Sequence, residues 1–278
     1  MKSAFLLISI WILQFNHSGC RNTKQSFSCD DKVYSAIIDS AEKKHAQGSD
    51  VWQKLLDSAI SICPTKSYAW HARSVWHNKI GDYKTGFYYL NQAVKLDSFE
   101  IGYRGWIKLY KLHDYEGAIS DLITYKLKYG NIPAMDENVS YLIGLAYKQI
   151  DSVDIAIDYF NSYIKIEASR NNDDHVWPYA YVYRGLCLEK KRNNVSSMMD
   201  FTRAIELYSS CVEAFFHRGR LFLDSKLPEK AYNDFTKSLQ LYESGYYYKN
   251  EYKEYFDQVN REDIEYYIDI CRIKLKQN

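Results

Sequence analysis

The sequence predicts an all-α chain built as a solenoid of stacked helix pairs, and two observations carry that expectation. Pro and Gly, which disfavour helix interiors, number only 4 and 12 among 278 residues. One short pattern also returns along the chain, clearest in Trp70, Gly81-Asp82-Tyr83, Leu90, Ala93 and Leu96-Asp97. A repeated helix pair cannot bury its apolar face alone, so neighbouring pairs stack into one continuous core. The 46% hydrophobic content is sufficient for an elongated core of that kind.

Placing the first position of each unit at Val33, Ser67, Phe99, Glu137, Pro178 and Val212 gives intervals of 34, 32, 38, 41 and 34 residues. Position eight then reads Ser40, Ser74, Trp106, Gly144, Gly185 and Gly219, and position twenty reads Trp52, Gly86, Ala118, Ala156, Ser197 and Ala231. Position twenty-four is large and apolar throughout: Leu56, Leu90, Leu122, Phe160, Phe201 and Phe235. Position twenty-seven reads Ala59, Ala93, Tyr125, Tyr163, Ala204 and Ser238. Small residues let two helices approach to about 8–10 Å, and large ones fill the groove toward the next unit. From Val33 to Glu243 this pattern resembles the tetratricopeptide repeat, a helix–turn–helix unit of roughly 34 residues. Trp106 and Trp52 depart from it, and the Pro near position thirty-two occurs only as Pro64. The resemblance implies a superhelix whose concave face binds a partner and performs no chemistry.

The helix boundaries agree with this register. Gly81-Asp82, His113-Asp114, Asp151-Ser152 and Asp224-Ser225 separate the two apolar-periodic stretches of their units, where Asp and Ser can cap the second helix. Pro228 suits a first helical turn. Two connections read as loops: Tyr129-Gly130-Asn131-Ile132-Pro133 and the polar stretch Ser169 to His175. Residues 244–278 read as a linker followed by a capping helix from Asn260 to about Lys276, which would cover the exposed side of the last repeat.

Ahead of the repeats, Met1-Lys2 precedes an apolar run from Ala4 to Leu13, short of the roughly 20 residues that span a bilayer. The run ends at His17-Ser18-Gly19-Cys20, which resembles a bacterial lipobox with His17 where Leu is usual. Residues 1–19 therefore read as a signal peptide, Cys20 as a lipidated terminus and residues 20–32 as a tether. That predicts a cell-envelope lipoprotein anchored to a membrane, with secretion after cleavage near Gly19 as the alternative.

A net charge of +1 argues against nucleic acid as the partner. With Cys20 lipidated, Cys29, Cys63, Cys187, Cys211 and Cys271 are odd in number and lack CxxC spacing, so no disulfide framework is expected. Cys187, between Leu186 and Leu188, reads as a buried thiol. No glycine-rich phosphate loop, GxSxG elbow or HExxH helix occurs. Asp173-Asp174-His175 has metal-binding residue types but no second arm. No cofactor, metal or catalytic residue is assigned.

In the tetratricopeptide family, positions two, five, nine and twelve of the first helix line the groove. Here they supply Tyr68, His71, Tyr103, Tyr141, Tyr179, Phe216 and Arg220 as the candidate partner-binding residues. The Lys and Asn pair with which the family clamps a chain-terminal carboxylate is absent. With 27 Tyr in the chain, the groove reads as aromatic and suited to a protein or peptide partner. The other reading from the same residues is a glycan- or small-ligand-binding envelope lipoprotein that uses aromatic stacking, with Tyr103 and Tyr141 on sugar rings.

Overall fold

The computed structural model describes residues 29–171, 173–247, 253 and 255–277. The signal-peptide and lipidation expectations, including Cys20, lie outside them. Six helix pairs follow one another: α1 (Asp31–Lys44) with α2 (Asp50–Ile62), α3 (Ser67–Lys79) with α4 (Tyr83–Leu96), and α5 (Ile101–Ile107) with α6 (Tyr115–Tyr129). Then come α7 (Val139–Gln149) with α8 (Val153–Asn171), α9 (Pro178–Lys190) with α10 (Asn194–Leu207), and α11 (Val212–Asp224) with α12 (Pro228–Glu243). A last helix, α13 (Arg261–Gln277), lays Ile264, Ile268 and Cys271 against Val212, Phe235 and Leu241. It covers the final pair as the sequence predicts. Among the described residues no helix is long and apolar enough to cross a membrane.

The sequence sets several helix starts through side-chain caps. Asp30, Ser49, Asp82, Asp114, Asn138 and Asn193 each accept a backbone N–H from the first turn that follows. Asp224 and Ser225 do not act this way. Helix α11 runs on through Asp224, and α12 starts behind Leu227 without a side-chain cap. There the turn closes at Lys226 (φ 58°), and Pro228 supplies a ready-made first helical φ. Helix α8 likewise extends to Asn171, into the stretch expected as loop, before a 3₁₀ turn at Asp173–His175.

Close helix crossings explain the small-residue column. A Cβ on Gly144, Gly185 or Gly219 would meet the ring of Phe160, Phe201 or Phe235 at 3.0, 2.7 and 3.0 Å, and those rings are fully buried. In the third pair Trp106 does not occupy the crossing. Gly105 does, with its missing Cβ 2.8 Å from Leu122. The reason is one extra residue, absorbed by a π-helical turn at Lys108–Leu112. The turn after the helix shows the same shift. Asp82, Ser152, Asn193 and Leu227 donate their N–H groups five residues back, to His77, Tyr147, Leu188 and Phe222, as in a Schellman motif. Asp114 instead reaches six residues back, to Lys108. The insertion rotates Trp106 toward the groove.

Forked ion pairs tie successive helix pairs together. Arg104, Arg184 and Arg218 each grip an acid on their own second helix, Asp121, Asp200 and Asp234, at 2.6–2.9 Å. The remaining guanidinium nitrogen of each reaches Asn91, Asn161 or Thr202 on the preceding pair. Such planar, two-point contacts fix orientation as well as charge.

A disulfide corrects the cysteine expectation: Cys29 and Cys63 are bonded, with Cα atoms 4.7 Å apart. In an antiparallel pair, the residue just before α1 lies beside the residue just after α2. The separation of 34 residues is one repeat period, and that was the signal to read. Cys187, Cys211 and Cys271 are buried free thiols.

Candidate functional site

The first helices of the pairs form one inner face, where α7 touches α9 and α9 touches α11. Between the second and fourth pairs lies an open cavity of about 800 Å³, walled by Tyr103, Trp106 and Ile107 and edged by Asn78, Lys79, Glu137 and Lys253. His71 sits above it, with Nδ1 2.5 Å from Glu100 and its ring 5.3 Å from that of Tyr103. Asn78 donates to the Tyr103 hydroxyl at 3.3 Å, and burial pushes that hydroxyl up to about 12. Tyr68 is 44% exposed and faces Glu42 and Tyr34 of the first pair, outside the cavity wall.

Toward the carboxyl-terminal end the inner face is occupied by the chain itself. Lys253 and residues 255–257 lie on it, and cavities of about 440 and 260 Å³ remain beside Tyr255 and Asp257. Lys253 Nζ donates to Glu137 Oε1 at 2.7 Å. The same carboxylate accepts from Trp106 Nε1 at 2.8 Å and from the Tyr110 hydroxyl at 3.2 Å. Phe256 stacks on Tyr110 with centroids 5.8 Å apart and meets Tyr115 edge-on at 6.2 Å. The Tyr183 hydroxyl donates to the Phe256 carbonyl at 3.2 Å. Tyr255 lies 6.0 Å from Tyr179, and Lys148 pairs with Asp257.

The predicted groove residues therefore divide. Tyr103 lines the open cavity with His71 packed against it, whereas Tyr68 faces the first pair. Tyr141 is buried against Tyr163 at 5.4 Å and Tyr183 at 6.3 Å, and Tyr179 donates to Glu213 at 2.6 Å. Both are floor rather than open surface. Phe216 is withdrawn altogether, packed 5.4 Å from Tyr267 of α13, because the last repeat must be covered. Arg220 pairs with Glu189 at 2.9 Å and borders the small cavity beside Asp257.

The electrostatics of the floor follow from burial. Burial pushes the hydroxyls of Tyr110, Tyr141 and Tyr183 well above the ordinary range, and Tyr110 and Tyr183 donate to Glu137 and to the Phe256 carbonyl. Burial also raises the Glu213 carboxyl, against the opposing bond from Tyr179. His217, under Phe201 and beside Arg220, is driven down to about 3 by burial first and then by nearby positive charge. The one metal-type cluster among the described residues is Cys29, Asp31 and Cys63, and its two sulfurs are in the disulfide. Asp174 is paired with Arg203.

Sequence reading missed Trp106, Tyr110, Glu137, Lys148, Tyr183, Lys253 and residues 255–257. Gly105 beside Trp106 was the available sign of the shifted register. Nothing in the repeat pattern places residues 253–257.

No family model matches the sequence, and no curated protein does. Among solved structures the chain is similar to yeast Tom70, with TM-score 0.57 and 13% identity over 87% of this chain. It spans about half of that protein, 47% of its length. It is also similar to Pseudomonas aeruginosa PilF, with TM-score 0.58 and 17% identity over 80% of this chain and 96% of that one. YrrB, described as a TPR protein with an unusual peptide-binding site, gives TM-score 0.52 and 15% identity over 67% and 91%. These likenesses and the repeated glycine–phenylalanine crossings establish the architecture: the chain has the fold of the tetratricopeptide-repeat proteins.

Proposed function

We propose that the solenoid is a protein-interaction module that docks an extended partner segment on its inner face, tethered to a membrane of the cell envelope through a lipidated Cys20. The carrying observation is the open cavity of about 800 Å³. Apolar walls with a few convergent polar groups, built on rigid helices, are what a peptide site requires. The reported peptide-binding site of YrrB supports the same use of the fold. No catalytic step is proposed.

The Cys29–Cys63 bond supports an exported chain, since disulfides persist in oxidising compartments such as the periplasm. The similarity to PilW, described as a type IV pilus biogenesis factor, fits an envelope setting. Sugar stacking needs ring faces open to solvent, and Tyr103 and Tyr141 are 7% and 4% exposed, so the peptide reading is preferred.

Photo-crosslinking residues placed at Val75 and Lys79 should capture one protein in living cells, whereas Tyr88 on the outer helix α4 should not. Equal capture from both faces would reject the groove. For the anchor, the mature chain should carry a diacyl or triacyl mass on Cys20, lost together with membrane retention in Cys20→Ala. An unmodified terminus rejects it.

A further inference from the structure

The connection between α12 and α13 is far longer than its endpoints require. The two helices pack directly on one another, and adjacent helices are ordinarily joined by about 2–8 residues. Here 17 residues, 244–260, lie between Glu243 and Arg261. Within it, Lys253 and Asp257 meet Glu137 and Lys148 on the inner face, partners 116 and 109 residues away in sequence. Asp257, at φ 56°, adopts the left-handed conformation that Asp tolerates.

The contacts made there are those of a ligand in a site. Three first-helix regions, from the third, fourth and fifth pairs, supply the walls. Glu137 reads a cation, with Trp106 and Tyr110 donating to the same carboxylate. Tyr110 and Tyr115 take an aromatic ring, and Tyr179 faces a second one. The Tyr183 hydroxyl reads a backbone carbonyl, and Lys148 reads a carboxylate. Cover of the last repeat needs none of this, because Ile264, Ile268 and Cys271 of α13 supply it.

We propose that Lys253 and residues 255–257 are an internal occupant of a peptide-binding site, and that the partner is an extended segment of the same chemistry. That segment carries a basic residue, two adjacent aromatic residues two and three positions later, and then an acidic residue. The partner displaces the occupant, so the chain's own segment sets the threshold for binding. The proposal rests on the reading of the inner face as a docking surface and specifies the class of peptide it takes.

The test uses the full chain and a fluorescein-labelled peptide of sequence EYKEYFDQV, residues 251–259, followed by anisotropy. The variant Tyr255→Ser/Phe256→Ser should bind this peptide at least tenfold more tightly than the unaltered chain. Adding Lys148→Glu should abolish that binding, and a peptide with Lys in place of its Asp should restore it. A folded variant, with a cooperative melt, that binds no better than the unaltered chain overturns the proposal. Hydrogen exchange on the unaltered chain is the second measurement and needs no variant. Residues 255–259 should exchange at least tenfold faster than α9 and α13, whereas protection equal to α9 would make the segment fixed core and overturn the proposal. Failure here leaves crosslinks at Val75 and Lys79 standing. Loss of those crosslinks, or equal capture from Tyr88, removes the docking reading itself.

Discussion

The two ends of this solenoid solve the same problem by different means. At the amino-terminal end the first helix pair is closed by a covalent bond, Cys29–Cys63, around its own small core of Tyr34, Trp52 and Leu56, and the neighbouring inner face is open. At the carboxyl-terminal end the last pair is closed by α13, and the inner face is filled by the chain leading to it. A repeat array loses stability where a unit has only one neighbour. The comparison shows that closing an end and filling the groove are separable tasks. One end does only the first, and the other does both, with α13 as cover and residues 255–257 as filling.

The largest effect should come from breaking the covalent closure. Cys63→Ser releases a loop of about 34 residues, which in the chain-entropy account costs about 3–4 kcal/mol. The loss should be confined to α1 and α2. Hydrogen exchange would then show fraying that stops short of α5, and fraying that reached α9 would break the comparison.

Acid should act on the filled end next. His217 is held down at about 3 by burial, so between that value and its ordinary range the unfolded chain binds a proton that the folded chain does not. Stability therefore falls as pH drops, by about 1.4 kcal/mol per pH unit below about 6.5, or about 2 kcal/mol between pH 7 and 5. Glu213 works in the opposite sense, since its raised carboxyl favours the fold at low pH and loses that advantage as pH rises. Urea titrations of His217→Gln and the unaltered chain at both pH values cancel the Glu213 contribution. The variant should lose about 2 kcal/mol less on acidification.

Phe256→Ala tests how tightly the filling is held. In a fixed core, a Phe→Ala change costs about 3–5 kcal/mol. A segment that lets go limits the loss to its own opening free energy, so less than about 2 kcal/mol is expected here. Tyr68→Ala at the amino-terminal end should cost no more than about 0.5 kcal/mol. A Phe256 loss in the full core range would mark the segment as permanent. The smallest effect has the opposite sign. Arg192 sits at φ 59°, and Arg192→Gly should stabilise the turn between α9 and α10 by about 0.5–1 kcal/mol, read as a higher melting temperature.

Much of the fold was legible because a tetratricopeptide-like unit is local. Gly185 and Phe201 lie 16 residues apart on two helices joined by a short turn, so the pattern that packs them is written in one stretch of chain. The same holds for Gly144 with Phe160 and Gly219 with Phe235, and for the caps at Asp82 and Asp114. The candidate site was less legible. Trp106 took the crossing column only because sequence columns cannot see a π turn, which moves every preceding side chain around the helix by one residue. Tyr141, Tyr179 and Phe216 were placed by column, and column position alone does not say what covers a face.

The number of helix pairs, most of their small and large crossing residues, the caps at Asp82 and Asp114 and the need for a final covering helix follow from the sequence alone. All of these depend on residues within about 40 positions of one another. Tertiary structure alone decided that Cys29 meets Cys63, that Gly105 and not Trp106 stands at the third crossing, and that Lys253 meets Glu137. The last of these joins residues 116 apart, and no periodicity encodes a contact made by chain outside the repeats.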